Sequence, residues 1–96
     1  MLLFTWDENK RFINIKKHGI DFIEGEESFY DDYSLYLPDP DHSDNEDRFI
    51  LIGMSKKGNI LVVVHCYREN EQVIRIISAR KATKTEELIY QKGRLL

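Results

Sequence analysis

Residues 48–79, RFILIGMSKKGNILVVVHCYRENEQVIRIISA, decide the fold. Three runs rich in Ile, Val, Leu and Phe, namely Arg48–Met54, Ile60–Tyr67 and Gln72–Ala79, are separated by SKKGN and RENE, turn-rich breaks of hairpin length. β-branched and aromatic side chains suit a pleated surface, and connections this short force each run to return antiparallel to the last. The three runs read as a β-meander. With RENE as a four-residue loop, Tyr67 faces Gln72 and His65 faces Ile74; a turn centred on Lys57 sets Phe49 opposite His65. One face then carries Phe49, Leu51, Val63, His65, Ile74, Ile76, Ser78 and Arg80. The other carries Arg48, Ile50, Ile52, Val62, Val64, Cys66, Val73, Arg75 and Ile77. Both faces are apolar at the centre, so both need cover.

The flanking segments supply that cover. Ser34–Leu37 alternates weakly and stops at Pro38, which makes it a fourth strand, and Pro38–Asp47 is a solvated loop of Pro, Asp, Ser and Asn. Leu2–Thr5 reads as a short N-terminal strand. Asp7 caps a helix reaching His18, in which Phe12 and Ile15 share one side while Lys10, Asn14, Lys17 and His18 recur on another. Gly19 ends that helix, and Asp21–Tyr30 forms a second, acidic one whose interior Gly25 costs about 1 kcal/mol against alanine. Thr83 to Glu86 matches the capping box S/T-x-x-E and opens a last helix running to about Gly93. The expected order is strand, two helices, four strands, helix: an α+β domain with a four-stranded antiparallel meander, two N-terminal helices and one C-terminal helix.

Ninety-six residues suit a single domain spanning 1–96. The longest apolar run, Ile60–Val64, is too short for a membrane span, and the start MLLFTWDENK lacks the features of a signal peptide, so a cytoplasmic protein is expected. One cysteine, Cys66, excludes an internal disulfide or a CxxC metal site. The net charge of −3 hides a strong partition: residues 1–20 carry +2, residues 21–47 carry −11 with no Lys or Arg, and residues 48–96 carry +6. A basic C-terminal half attracts phosphates, while the acidic stretch repels them or receives a basic partner.

Candidate chemistry concentrates in that basic half. Arg48, Arg68, Arg75, Arg80 and Arg94, extended by Lys81 and Lys84, are cations suited to phosphate oxygens and to the added charge of a phosphorane. Pairing with some of the seventeen carboxylates is the plain structural alternative for each. His65 has the chemistry of a general acid or base, or of a hydrogen-bonded core histidine. His18, last in its helix, fits a role at the helix dipole. His42 among Asp39, Asp41, Asp44, Glu46 and Asp47 superficially resembles a metal loop but lacks the glycine and terminal glutamate of an EF-hand, so no metal site is expected. No GxSxG, HExxH, P-loop or GxGxxG occurs, and no cofactor is called for.

Trp6-Asp7-x-x-Lys10, Asn14, Lys17-His18-Gly19-Ile20 and Phe22 resemble the opening of BrnT-type toxins of bacterial type II toxin-antitoxin modules. Asp39-Pro40-Asp41-His42-Ser43, Arg48-Phe49, Leu51-Ile52-Gly53, Leu61-Val62-Val63-Val64-His65 and Arg75-Ile76-Ile77-Ser78-Ala79-Arg80-Lys81-Ala82-Thr83 resemble its later blocks in order and spacing. Gly25 departs from the small alanine usual there. The resemblance implies a small RelE-like ribonuclease that blocks translation by metal-independent RNA cleavage. It also implies a BrnA-like antitoxin that joins it in a hetero-oligomer, brings the DNA contact and autoregulates the operon. Arg80, Lys84 and Glu86 are the implied active-site matches, with His65 in support; Arg68, Arg75, Lys81 and Arg48 are the phosphate-binding candidates. His65 and Glu86 are the candidate bases, although the capping box already employs the Glu86 carboxylate. A non-catalytic module docking a basic partner is the alternative.

Overall fold

The computed structural model describes residues 2–39 and 47–94. In chain order it contains β1 (Leu3–Thr5), α1 (Glu8–His18), α2 (Phe22–Ser28), β2 (Leu35–Pro38), β3 (Phe49–Met54), β4 (Ile60–Arg68), β5 (Val73–Lys81) and α3 (Lys84–Arg94). The sheet order is β1-β5-β4-β3-β2. The four-stranded antiparallel meander expected from sequence is β2 to β5, and β1 adds a fifth strand parallel to β5, with Leu3 beside Val73 and Thr5 beside Arg75. The apolar start of the chain thus covers part of an edge that the meander leaves open. Residues 40–46, including His42, Asp41, Asp44 and Glu46 of the acidic loop, lie outside the described residues.

Both helix starts near the N-terminus are capped as their sequence dictates. Asp7 accepts the N–H groups of Asn9 and Lys10, and Asp21 accepts that of Ile23. Gly19 closes α1 in the left-handed conformation at φ +72°, its N–H donating to the Ile15 carbonyl. Helices cover both sides of the sheet. Against α1 and α2 lies a core of Ile20, Phe22, Leu61, Val63, Ile76 and Ala79, with Phe4, Trp6 and Phe29 packed on it. Against α3 lie Ile52, Val62 and Tyr90 with Leu35, Ile50, Met54, Ile60 and Ala82. Tyr90 is buried, and its phenol donates to Asp31 Oδ2 at 2.6 Å, which ties α3 to the segment after α2.

Register matches expectation between β3 and β4, where Phe49 faces His65. Between β4 and β5 it differs. Arg68 faces Val73 and Tyr67 faces Ile74, so the loop is residues 69–72, one position later than RENE, and His65 faces Ile76 rather than Ile74. Glu69, Asn70 and Glu71 make this turn with φ of 53°, 58° and 68°, three successive left-handed residues. A β-bulge then intervenes: His65 faces Ile76 while Val64 faces Ser78, leaving Ile77 as the extra residue. The extra residue reverses the faces beyond it. Ala79 therefore points to the α1–α2 core, and Arg80, opposite Val62, joins the α3 face instead of the His65 face.

The acidic stretch 21–47 is partly engaged inside the fold. Buried Glu24 accepts Ser55 Oγ at 2.7 Å and Asn59 Nδ2 at 2.8 Å, and Glu27 accepts the Lys56 N–H at 3.0 Å, so α2 carboxylates fasten the β3–β4 turn. Asp31 accepts Met54 N–H at 2.8 Å as well as the Tyr90 phenol, and Asp21 is held by Arg11 through bonds of 2.8 and 2.9 Å. Asp39 is buried as well, so among the described acids of this stretch Asp32 and Asp47 are exposed and Glu26 is half-buried.

Candidate functional site

Arg80 and Lys81 end β5 and Lys84 begins α3, so four of the sequence candidates, Arg80, Lys81, Lys84 and Glu86, meet at one strand-to-helix junction. The capping box forms as expected: Thr83 N–H donates to Glu86 Oε1 at 2.8 Å, and Glu86 N–H donates to Thr83 Oγ1 at 3.2 Å. The same carboxylate receives Arg80 in a fork, Nη1 to Oε1 at 2.7 Å and Nη2 to Oε2 at 2.9 Å. Arg80 Nη1 also donates to the Lys81 carbonyl at 3.3 Å.

This geometry fixes both partners' protonation. The Arg80 guanidinium pulls Glu86 from its ordinary 4.5 down to about 2, and Glu86 in turn raises Arg80. A carboxylate that acidic, with both oxygens occupied, is a poor proton acceptor near neutral pH; its role is to hold the guanidinium plane. The Arg80 side chain keeps 37% of its surface open, and Lys81 and Lys84 beside it are exposed. The junction is therefore an oriented cation, Arg80, with exposed Lys84 at the helix start and exposed Lys81 next in the strand, opposite Leu61.

His65 stands apart. It is 0% exposed and on the opposite face of the sheet from Arg80. Its Nδ1 lies 3.1 Å from the Val63 carbonyl, so Nδ1 carries the proton and donates there, and Nε2, 3.1 Å from the Tyr36 phenol, accepts. Burial lowers its pKa and keeps the ring neutral. Tyr36 stacks on the imidazole with 5.4 Å between centroids, and Phe29 meets it edge-on at 4.8 Å. Its partner Tyr36 is 51% exposed and borders a cleft of about 440 Å³ with Phe49, Cys66, Tyr67, Asp47 and Glu71. Nothing in the sequence pattern singled out Tyr36; only the pairing of β2 with β3 brings it over the ring.

The remaining candidates are spread along the sheet. Arg75 faces Cys66 on the Arg80 face but five residues nearer the other end of β5. Arg68 ends β4 roughly 20 Å along the strand from the junction, and Arg48 precedes β3 at roughly 13 Å, at about 3.3 Å per strand residue. Thus Arg80, Lys81, Lys84 and Glu86 are brought together, and Arg48, Arg68, Arg75 and His65 are not. Among the described residues no group of three or more His, Cys, Asp or Glu is placed to hold a metal ion. Among the described residues no helix is long and apolar enough to cross a membrane.

Comparison with known proteins agrees with the resemblance read from sequence. The profile of a family described as the ribonuclease toxin BrnT of type II toxin-antitoxin systems matches residues 6–86, from the residue before the α1 cap to the Glu86 of the junction. A 1.1 Å crystal structure of the Brucella abortus ribonuclease toxin BrnT superposes with a TM-score of 0.63 at 28% sequence identity, covering 88% of this chain and 100% of that one. No curated protein sequence matches. With the family profile spanning most of the chain and the same α+β architecture in a solved member, this protein belongs to the BrnT family of ribonuclease toxins of type II toxin-antitoxin systems.

Proposed function

We propose that this toxin, a RelE-like ribonuclease of the cytoplasm, arrests translation by cutting RNA without a metal ion, through attack of a ribose 2′-hydroxyl on the adjacent phosphate at the β5–α3 junction. The observation that carries this reading is the Arg80–Glu86 fork locked by the capping box, with Lys81 and Lys84 beside it. In the reaction the 2′-oxygen bonds to phosphorus, the P–O5′ bond breaks, the 2′ proton passes to water and the departing 5′-oxygen takes a proton. Arg80 faces the extra negative charge that the phosphorane gains, which a preorganised cation stabilises without reorganising, and Lys81, next in the strand, binds an adjoining phosphate. Lys84, as an ammonium, supplies the proton to the 5′-oxygen. Glu86 acts through Arg80 and does not touch the scissile bond; His65, on the opposite face, holds Tyr36 and takes no part at the junction. Arg75, Arg68 and Arg48 extend cationic surface along the RNA strand.

A type II toxin has an antitoxin. In this reading it is a BrnA-like DNA-binding protein that forms a hetero-oligomer with the toxin, masks the junction and represses the operon; the toxin meets DNA only through it. The outward acids Asp32 and Asp47, with half-buried Glu26, favour a basic antitoxin segment and disfavour RNA on that side. Induced expression in bacteria tests the proposal. Growth arrest with RNA decay, relieved by the co-expressed antitoxin and abolished by Arg80→Ala in a folded protein, is the expected result. Normal growth with abundant soluble wild-type protein and intact RNA leaves only a docking module.

A further inference from the structure

Asn14 fastens α1 across the upper part of β5. Its Nδ2 donates to the Ile20 carbonyl at 2.8 Å and the Ala79 carbonyl at 2.7 Å, and its Oδ1 accepts the Ala79 N–H at 3.1 Å. Since β1 pairs with β5 only at Val73–Arg75, the neighbour of β5 beyond that point is this helix. Between them runs a groove of about 180 Å³, lined by Lys10, Ile13, Lys17 and His18 from α1 and by the bulge residue Ile77 and Ser78 from β5.

The charge in this groove is uncompensated. No carboxylate is among its described lining residues. The three acids nearest in the chain are engaged elsewhere: Asp7 caps α1 through the Asn9 and Lys10 N–H groups, and Arg11, on another side of α1, holds Glu8 at 3.1 Å and Asp21 at 2.8 Å. Lys10 and Lys17 are exposed and His18 is half-buried, so two ammonium groups and an imidazole converge on one opening in a protein of net charge −3. Lys10 and Lys17, about two turns or roughly 10 Å apart along α1, leave the opening positive unless an anion joins them. Ser78 and Arg80, two residues apart on the strand, share one face at roughly 7 Å. The groove and the β5–α3 junction are successive stations along the same strand.

We propose that the α1–β5 groove binds the phosphodiester backbone of the RNA next to the cleavage junction. Lys10 and Lys17 contact phosphate oxygens, and His18 and Ser78 donate hydrogen bonds. This rests on the ribonuclease reading above and extends it to α1. RNA is favoured over an acidic peptide because Ser78, which lines the groove, stands two residues along β5 from Arg80 of the junction.

Affinity for a 2′-O-methyl oligoribonucleotide, which cannot be cut, tests it by fluorescence anisotropy across a range of salt. Lys10→Gln/Lys17→Gln removes two exposed charges and leaves the Asn14 anchor intact; Lys16→Gln, exposed on the same helix but outside the groove, is the control. The double variant is expected to flatten the slope of log Kd against log salt by about 1.4, twice the ~0.7 per neutralised phosphate of a single strand, while the control leaves it unchanged. Cleavage by the double variant at low RNA concentration falls in parallel. If the wild type binds and cuts RNA and the double variant does so with the same slope, the groove proposal is overturned and the ribonuclease reading stands. Unchanged RNA binding with weakened antitoxin binding also overturns it, and assigns the groove to the antitoxin. A wild type that neither binds nor cuts RNA overturns both.

Discussion

Replacing Asn14 by alanine removes the side chain that joins α1 to the sheet, and the structure allows its cost to be worked out. Three hydrogen bonds of 2.7–3.1 Å disappear at once. The Ile20 carbonyl and both backbone groups of Ala79 lose this partner in a region where Ile20 and Ala79 are 2% and 0% exposed. A lost hydrogen bond costs about 1 kcal/mol net, and leaving its buried partner unsatisfied raises that to about 1–3 kcal/mol. The expected loss for the three together is about 3–5 kcal/mol, a large share of the ~5–15 kcal/mol available to a small domain. At about 4–8 °C per kcal/mol, the midpoint of thermal unfolding falls by at least about 12 °C. Trp6, edge-on to Phe22 at 6.0 Å in the core beneath α1, gives the fluorescence signal for urea and thermal unfolding. Asn14→Asp is expected to be no better, since one oxygen still accepts the Ala79 N–H but the other faces two carbonyl oxygens. A loss below 1 kcal/mol for Asn14→Ala would refute the view that this carboxamide replaces a missing strand along β5.

Two glycines predict opposite outcomes for the same substitution. A Cβ at Gly25 meets Ala79 Cβ at 3.4 Å, an ordinary contact, so Gly25→Ala is expected to stabilise by about 0.5–1 kcal/mol in urea unfolding through helix propensity. A Cβ at Gly53 falls 2.6 Å from the Ser28 carbonyl oxygen, so Gly53→Ala is expected to destabilise and to separate α2 from β3. In acid, Glu86 titrates near 2 instead of 4.5 and Asp21, beside Arg11, is also lowered. Depressed folded-state values mean that their stabilisation is complete above about 4.5 and is lost as pH falls toward 2. The urea midpoint of the wild type should decline through that window, and Arg80→Ala should make the decline shallower.

The strands and helix limits were readable because their signals are local. Apolar runs with tight turns define β3 to β5, and Asp7, Gly19 and Thr83-x-x-Glu86 mark helix ends by chemistry that acts within four residues. The bulge was not readable: Gln72 to Ala79 alternates well enough to hide that Ile77 is an extra residue, and that one residue carries Arg80 to the other face. The parallel partner of Leu3–Thr5 depends on a contact about seventy residues away. For the site, the cationic end of β5 and the capping box stood out in sequence. The division of the other candidates did not, because opposite faces and opposite ends of a sheet look alike in a linear string. His65 shows the limit most clearly, since its apolar flanks were visible but its bond to Tyr36 depends on an edge strand that joins from the far side of β3.

Metal-independent cleavage of RNA at the β5–α3 junction is measured by incubating purified toxin, free of antitoxin, with end-labelled RNA in excess EDTA beside folded Arg80→Ala and Lys84→Gln variants. Fragments ending in a 2′,3′-cyclic phosphate are expected from the wild type, and both variants are expected to lose them. Full cleavage by Arg80→Ala, or cleavage by the wild type only when a divalent ion is restored, would contradict it.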